Sequence, residues 1–346
     1  MSELLPVTVL LAFVIACVAT YLLAHPAAPF KILDHPNDRS LHTTPVPRTG
    51  GLAIWAGLLA GIVYVAFTYG AGDLGVIVGA ALVIGVVSLL DDRLGLPVSV
   101  RLAVHIGASV LLLVAGFGLS RVALPGIDAV LPAVLLWALS VLFVVWMTNL
   151  YNFMDGIDGL AGGMAVFGFG TFAVLGGIAG NSLFALFSAI VAASAAGFLV
   201  FNFPPARIFM GDSGSSVLGF LASACALWAD REGLFPLWTS VFVFSPFVVD
   251  ATITLSRRLL RREPIWTPHK THYYQRLVRM GWTHRRTTLF SYVLMVLSGV
   301  SAILSLGRSD SWQWGLIGMW AVTYLLLFTV IEKKERHAAR ARLRHT

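Results

Sequence analysis

Residues 130 to 163 read VLPAVLLWALSVLFVVWMTNLYNFMDGIDGLAGG. The stretch from 130 to 148 carries no charge and is long enough to cross a hydrocarbon core of about 30 Å as a helix, which takes roughly 20 apolar residues. Two amides and two carboxylates, Asn149, Asn152, Asp155 and Asp158, follow at once. Polar groups at that depth are expensive to place, so a chain that puts four of them there points to a membrane-embedded protein with chemistry at the membrane boundary.

Runs like this one recur along the chain. Uninterrupted apolar stretches lie near 4–24, 50–70, 75–90, 99–119, 130–148, 160–180, 182–201, 214–229, 236–256, 287–306 and 312–331. With 58% hydrophobic and 12% charged residues, and a mean hydropathy of +0.83, the 346-residue chain holds more apolar surface than one soluble core needs. Long unbroken runs predict spanning helices and exclude a barrel, whose strands would alternate. The expectation is an all-α polytopic membrane bundle of about eleven transmembrane helices, read as a single domain over 1–346. The first run has no basic residue before it and no small-residue cleavage site after it, so it reads as a retained helix. Cys17 and Cys225 both fall inside apolar runs and read as small packing residues.

Charge sets the orientation. If the spans alternate sides, one face collects 21 of the 24 Lys and Arg residues, leaving Arg121, Arg231 and Arg308 for the other. By the positive-inside bias the basic face is cytoplasmic and the N-terminus outside. The net charge of +7 is then a topology signal, with the arginines at 257–262 and the basic tail 332–346 placed beside anionic lipid rather than nucleic acid.

The motifs with chemistry fall on that same face. Asp91 and Asp92 end the third run, in SLLDDRLGLP; adjacent carboxylates sit about 100° apart on a helix and can share a cleft only at its end. Such a pair can hold a cation or a proton, although a solvated helix end next to Arg93 explains it as simply. Asn149, Asn152 and Asp155, three residues apart, line one side of a helix end, and Gly156 and Gly159 permit a tight turn beside a ligand. In FNFPPARIFMGDSGSSVLGF, 201–220, the proline pair ends one helix and Asp212 opens the next, so a carboxylate and free amides point at one place. That suits a phosphate held through Mg²⁺, which prefers one or two carboxylates plus phosphate oxygens and water.

The longest internal loop, 257–286, contains PIWTPHKTHYYQRLVRMGWTHRR at 264–286. His269, His272 and Arg276 would share one face if this segment is helical, presenting donors to a diphosphate. DHPNDRSLHTTPVPRTGG, 34–51, is stiffened by prolines and carries Asp34, Asn37, Arg39, His42 and Arg48 without a period, so chemistry alone leaves its role open.

Together these five stretches resemble the polyprenyl-phosphate N-acetylhexosamine-1-phosphate transferases, glycosyltransferase family 4, over nearly the whole chain and in family order. The resemblance implies transfer of a sugar 1-phosphate from a UDP-sugar to undecaprenyl phosphate, with release of UMP, in the bacterial inner membrane. It implies a homodimer, and Mg²⁺ as cofactor with Mn²⁺ as a substitute. Asp212 is similar to the metal ligand, and Asp91, with Asp92 beside it, to the residue preparing the lipid phosphate. Asn149, Asn152, Asp155 and Asp158 resemble nucleotide-site and active-site residues, Phe209 one lying near uracil, and His269 and His272 diphosphate contacts, with Arg276 and Arg48 as further substrate contacts. HKTHYYQRL departs from the histidine run of the MurNAc-pentapeptide branch and lies closer to the branch making O-antigen and related surface glycans. Direct attack by the lipid phosphate and a covalent aspartyl-phosphate route through Asp91 or Asp155 both remain open. Secondary transport of an anionic solute is the rival, but it favours midplane sites and internal repeats, whereas here the charged motifs gather at one surface and no repeat shows.

Overall fold

The computed structural model describes residues 4–26, 28, 32–34, 45–70, 72–264 and 269–343; Asn37, Arg39, His42 and Trp266 lie outside them. The described chain is all-α apart from two short ladders. In order it runs α1 (Leu4–Ala24), β1 (Leu33–Asp34), β2 (Val46–Pro47), α2 (Gly50–Tyr69), α3 (Gly72–Leu94), α4 (Val98–Val114), β3 (Val122–Leu124), β4 (Ile127–Ala129) and α5 (Ala133–Phe153). Then come α6 (Leu160–Ile178), α7 (Ser182–Asn202), α8 (Asp212–Arg231), α9 (Leu237–Val243), α10 (Ser245–Leu260), α11 (Tyr273–Arg279), α12 (His284–Ser305) and α13 (Asp310–Leu343).

Among the described residues eight helices are long and apolar enough to cross a membrane: α1, α2, α3, α5, α6, α7, α12 and α13. The other three expected runs form helices with a difference. Helix α4 has 17 residues. Helix α8 carries Ser213, Ser215, Ser216 and Ser223 and is less apolar because it meets protein on all sides; every residue from Ser213 to Ala229 is buried, chiefly against α5 and α3. A helix that never faces lipid has no need of a lipophilic surface, and small residues let its neighbours approach.

The run at 236–256 is two helices, not one. Helices α9 and α10 meet at 85°. Pro246, in the first turn of α10, has no amide hydrogen to continue the ladder from α9, and the Ser245 hydroxyl is held 2.8 Å from the Tyr324 hydroxyl of α13. The connection at 122–129 folds as a hairpin through Pro125 and Gly126, with Gly126 at φ 68°.

Two packing features bring the polar ends together. The start of α2 lies flush on the start of α8, because a Cβ on Gly51 would stand 2.5 Å from the Gly214 amide nitrogen. Backbone hydrogen bonds stitch the two approaches: Phe209 N–H donates to Pro47 O (2.7 Å), Gly50 N–H to Phe209 O (2.9 Å) and Gly51 N–H to Met210 O (2.8 Å). The segment carrying Arg48 is thereby fastened beside Asp212. Second, α13 runs past its apolar part, and Glu332 and Glu335 on that extension pair with Arg257 of α10 and Arg276 of α11.

Candidate active site

Asp91 and Asp92, consecutive in the last turn of α3, take different tasks. The Asp92 side chain is fully buried, and its two oxygens accept the Asp212 and Ser213 amides at 3.1 and 3.2 Å while Arg48 donates to the same carboxylate. Helix α8 thus receives its N-terminal carboxylate from another helix, the arrangement the exposed amides and positive dipole end of α8 favour. Gly211, at φ 72°, makes room: a Cβ there would meet Arg48 O at 2.5 Å and Asp92 Oδ2 at 2.8 Å.

Asp91 faces the other way. Its Oδ1 accepts the Leu96 amide at 2.6 Å, and its Oδ2 lies 2.8 Å from Arg101 Nη1. The same guanidinium nitrogen stands 3.2 Å from Asp212 Oδ2, and Arg48 is 3.6 Å from Asp212 Oδ1. Asp212, with a fifth of its side-chain surface exposed, is the open carboxylate of the group. Arg101 escaped the sequence reading except as a topology charge; its position one turn into an apolar run was the available signal.

Asp155 follows α5 in the connection to α6. Burial pushes its proton affinity up to about 7, and the nearby Asp212 and Asp92 push the same way. Asn152 donates to Ser216 Oγ at 3.1 Å and reaches Asp212, so it joins the group. Asn149 does not share that side: its amide nitrogen donates to Val145 O at 2.7 Å and lies 3.3 Å from Nδ1 of the buried His105 on α4. The expected line of three therefore splits, because Asn149 is drawn to a neighbouring helix and Asp155 lies beyond the helix end.

Asp158 is bound into the scaffold. One oxygen is 3.1 Å from His284 Nδ1 and the other accepts the Ala206 amide at 3.0 Å. Burial opposes its ionisation, yet the His284 hydrogen bond and the Ala206 amide hold it below the ordinary carboxylate range. Phe209 is half-buried and holds its place through the backbone bonds already described.

The histidine loop meets the group at the end of α5. The Tyr274 hydroxyl donates to Phe153 O at 3.1 Å and touches Gly156, where a Cβ would collide with it. The His272 ring stacks on Phe153 at 6.5 Å, and His269 lies 4.9 Å from His272. Burial, with His272 and Arg258 nearby, lowers His269 to about 4, so its ring is neutral near pH 7. The two histidines precede α11 and do not lie on one helical face with Arg276; Arg276 is engaged by Glu335 and lies 4.0 Å from Glu332.

Among the described residues no three His, Cys, Asp or Glu side chains form a closed metal cage. Mg²⁺ does not need one, and the donors here, the hard carboxylate oxygens of Asp212 and Asp155, are of the kind it takes. Thr49 and Ser213, the residues that follow Arg48 and Asp212, add buried hydroxyls without a hydrogen-bond partner.

The chain is similar along most of its length to known proteins. Residues 74–230 match the model of glycosyl transferase family 4. A probable undecaprenyl-phosphate N-acetylglucosaminyl 1-phosphate transferase of Bacillus subtilis (strain 168) is 32% identical, covering 86% of this chain and 83% of that protein. A decaprenyl-phosphate N-acetylglucosaminephosphotransferase of Mycobacterium leprae is also 32% identical, over 82% and 79% of the two chains. A phospho-N-acetylmuramoyl-pentapeptide-transferase of Halalkalibacterium halodurans is 30% identical, over 74% and 82%. A chain alike over most of its length to these enzymes belongs to glycosyl transferase family 4, the polyprenyl-phosphate N-acetylhexosamine-1-phosphate transferases.

Proposed function

We propose that the chain transfers an N-acetylamino-sugar 1-phosphate from a UDP-sugar to undecaprenyl phosphate and releases UMP, at the cytoplasmic face of the bacterial inner membrane. It would carry out the first membrane step of O-antigen or another cell-surface glycan. The observation that carries this reading is the meeting of Asp91, Asp155 and Asp212 with Arg48 and Arg101 where several membrane helices end. One substrate reaches such a place from water while the other never leaves lipid. The names of the Bacillus and Mycobacterium relatives make UDP-N-acetylglucosamine the first donor to test.

Phosphoryl transfer needs positioning and charge neutralisation more than covalent help from the protein. An oxygen of the lipid phosphate attacks the β-phosphorus, the bond from that phosphorus to the bridging oxygen breaks, and UMP leaves with the bridging oxygen. The lipid phosphate is already ionised near neutral pH, so Asp91 serves to orient it through Arg101 rather than to remove a proton. Arg48 and Arg101, now engaged by carboxylates, are the cations within reach of the diphosphate. Mg²⁺, or Mn²⁺ in its place, would be held by Asp212 and Asp155 and would supply neutralisation of the diphosphate charge. His269 and His272 close the site from the α11 side, with Asn152 and Phe209 on the nucleotide side.

A cavity of about 790 Å³ between the hairpin, α5, α9, α10 and α13, walled by side chains such as Leu142, Phe143, Trp238 and Phe242, suits part of an isoprenoid chain. Transport explains neither this lipid-compatible groove nor the transferase relatives. The test is UMP release by purified protein given undecaprenyl phosphate, Mg²⁺ and a panel of UDP-acetamido sugars. Failure with every donor would overturn the reading. Mass photometry of the solubilised protein tests the homodimer.

A further inference from the structure

Asp250, halfway along α10, is a buried carboxylate in a segment otherwise rich in apolar residues. It takes no part in the reaction as described so far. Its surroundings are fully specified. Oδ1 lies 3.2 Å from His272 Nδ1 and accepts the Tyr273 amide at 3.0 Å and the Thr254 hydroxyl at 3.1 Å, while Oδ2 accepts the Tyr274 amide at 3.2 Å. Two of these donors are the first amides of α11, which the next turn of that short helix leaves without partners.

A carboxylate can only accept hydrogen bonds, so the His272 nitrogen facing Asp250 must carry the proton. That leaves Nε2 on the opposite side of a ring whose side chain is only 3% exposed. The ring cannot easily swing, since Tyr274 stacks against it at 5.9 Å, Phe153 at 6.5 Å and His269 lies at 4.9 Å. Its backbone is anchored as well: the His272 amide donates to Gln275 Oε1 at 3.3 Å.

We propose that Asp250 is a positioning residue for the transferase reaction: it fixes the tautomer and direction of His272 so that Nε2 is presented to the phosphate groups of the substrate. The inference rests on the function proposed above. Asp250 acts through His272 and does not itself touch substrate. A carboxylate behind a working histidine commonly sets which ring nitrogen is free, and its loss costs about 10- to 100-fold in sites where this has been measured.

Asp250→Asn keeps the shape and still offers an oxygen to the Tyr274 amide, but its NH₂, in the place of Oδ1, faces the Tyr273 amide and can donate to His272 Nδ1, favouring the opposite tautomer. The expected result is a fall of about 10- to 100-fold in kcat/KM for Asp250→Asn, with a lower thermal midpoint because the Tyr273 amide loses its acceptor. The loss should be non-additive with His272→Ala, the double variant being hardly worse than His272→Ala alone. In protein labelled with ¹⁵N-histidine, the wild-type His272 ring should show its proton on Nδ1. Losses that multiply in the double variant, or a wild-type ring protonated on Nε2 alone, would overturn the inference. The spectrum needs no variant to fold and no turnover, so it stands apart from the test of function. A wild-type protein inactive with all UDP-sugars would remove the transferase reading while leaving the tautomer assignment decided.

Discussion

Helices α8 and α11 each receive an N-terminal carboxylate from a different helix, and the two ends are finished in different ways. At α8, Asp92 of α3 accepts the first amides, but the helix then adds its own Asp212, which stays partly exposed between Arg48 and Arg101. At α11, Asp250 of α10 accepts the first amides and the His272 ring, and the end is closed by stacked aromatics. The same device therefore builds one end whose charges can exchange partners and one that is locked. An exchangeable end suits a diphosphate and its cation, which bring charge and take it away; a locked end suits a side chain that must point in one direction.

Replacing Asp212 by Asn should break the comparison most completely, lowering UMP release about a thousandfold while the protein stays folded, since one of the few charges meeting the diphosphate is lost. A near-native rate would show that the open end is not the working one. Asp92→Ala should act chiefly on the fold. It leaves two buried helix amides without their acceptor and takes one of its carboxylates from Arg48, and thermal unfolding in detergent should register a loss of about 3 kcal/mol. Gly211→Ala tests the same joint more gently: the positive φ and the contacts with Arg48 O and Asp92 predict a loss of about 2 kcal/mol in the same assay, with a fall in activity.

Asp155 sharpens the comparison through pH. Its raised proton affinity means that the folded protein holds a proton there up to about pH 7, so this group's contribution to stability is present at low pH and is lost as pH rises toward 7. A cation must displace that proton. Mg²⁺ affinity measured by titration calorimetry should rise by about tenfold per pH unit below neutrality and level off above it. Asp155→Asn should abolish the slope, and an unchanged slope in that variant would place the cation elsewhere. The smallest effect is expected at the locked side: Arg276→Ala, freeing Glu335, should change KM by only about threefold, because an exposed or half-buried ion pair contributes little.

Much of the site was legible from residue order alone because hydrocarbon forbids scattered charge. Asp91, Asp155 and Asp212 stood out as acids at the ends of apolar runs, and the bundle was readable from the runs themselves. The divisions of labour were not legible. Asp91 and Asp92 look equivalent in sequence, and so do Asn149 and Asn152; which of each pair enters the site depends on helices far along the chain. The partners of Asp158, His284 and the Ala206 amide, are likewise brought to it only by the fold. The bend between α9 and α10 had a local signal in Pro246, which an otherwise apolar run concealed.

Sequence by itself determined that this chain is a helical membrane protein with the acids of its motifs at the ends of apolar runs, because the length of those runs and the cost of burying charge act residue by residue. Only the tertiary structure decided which carboxylates serve the fold and which stay open. Asp92 and the amides it caps are 120 residues apart, and hydrogen bonds across such a distance exist only once the helices have packed.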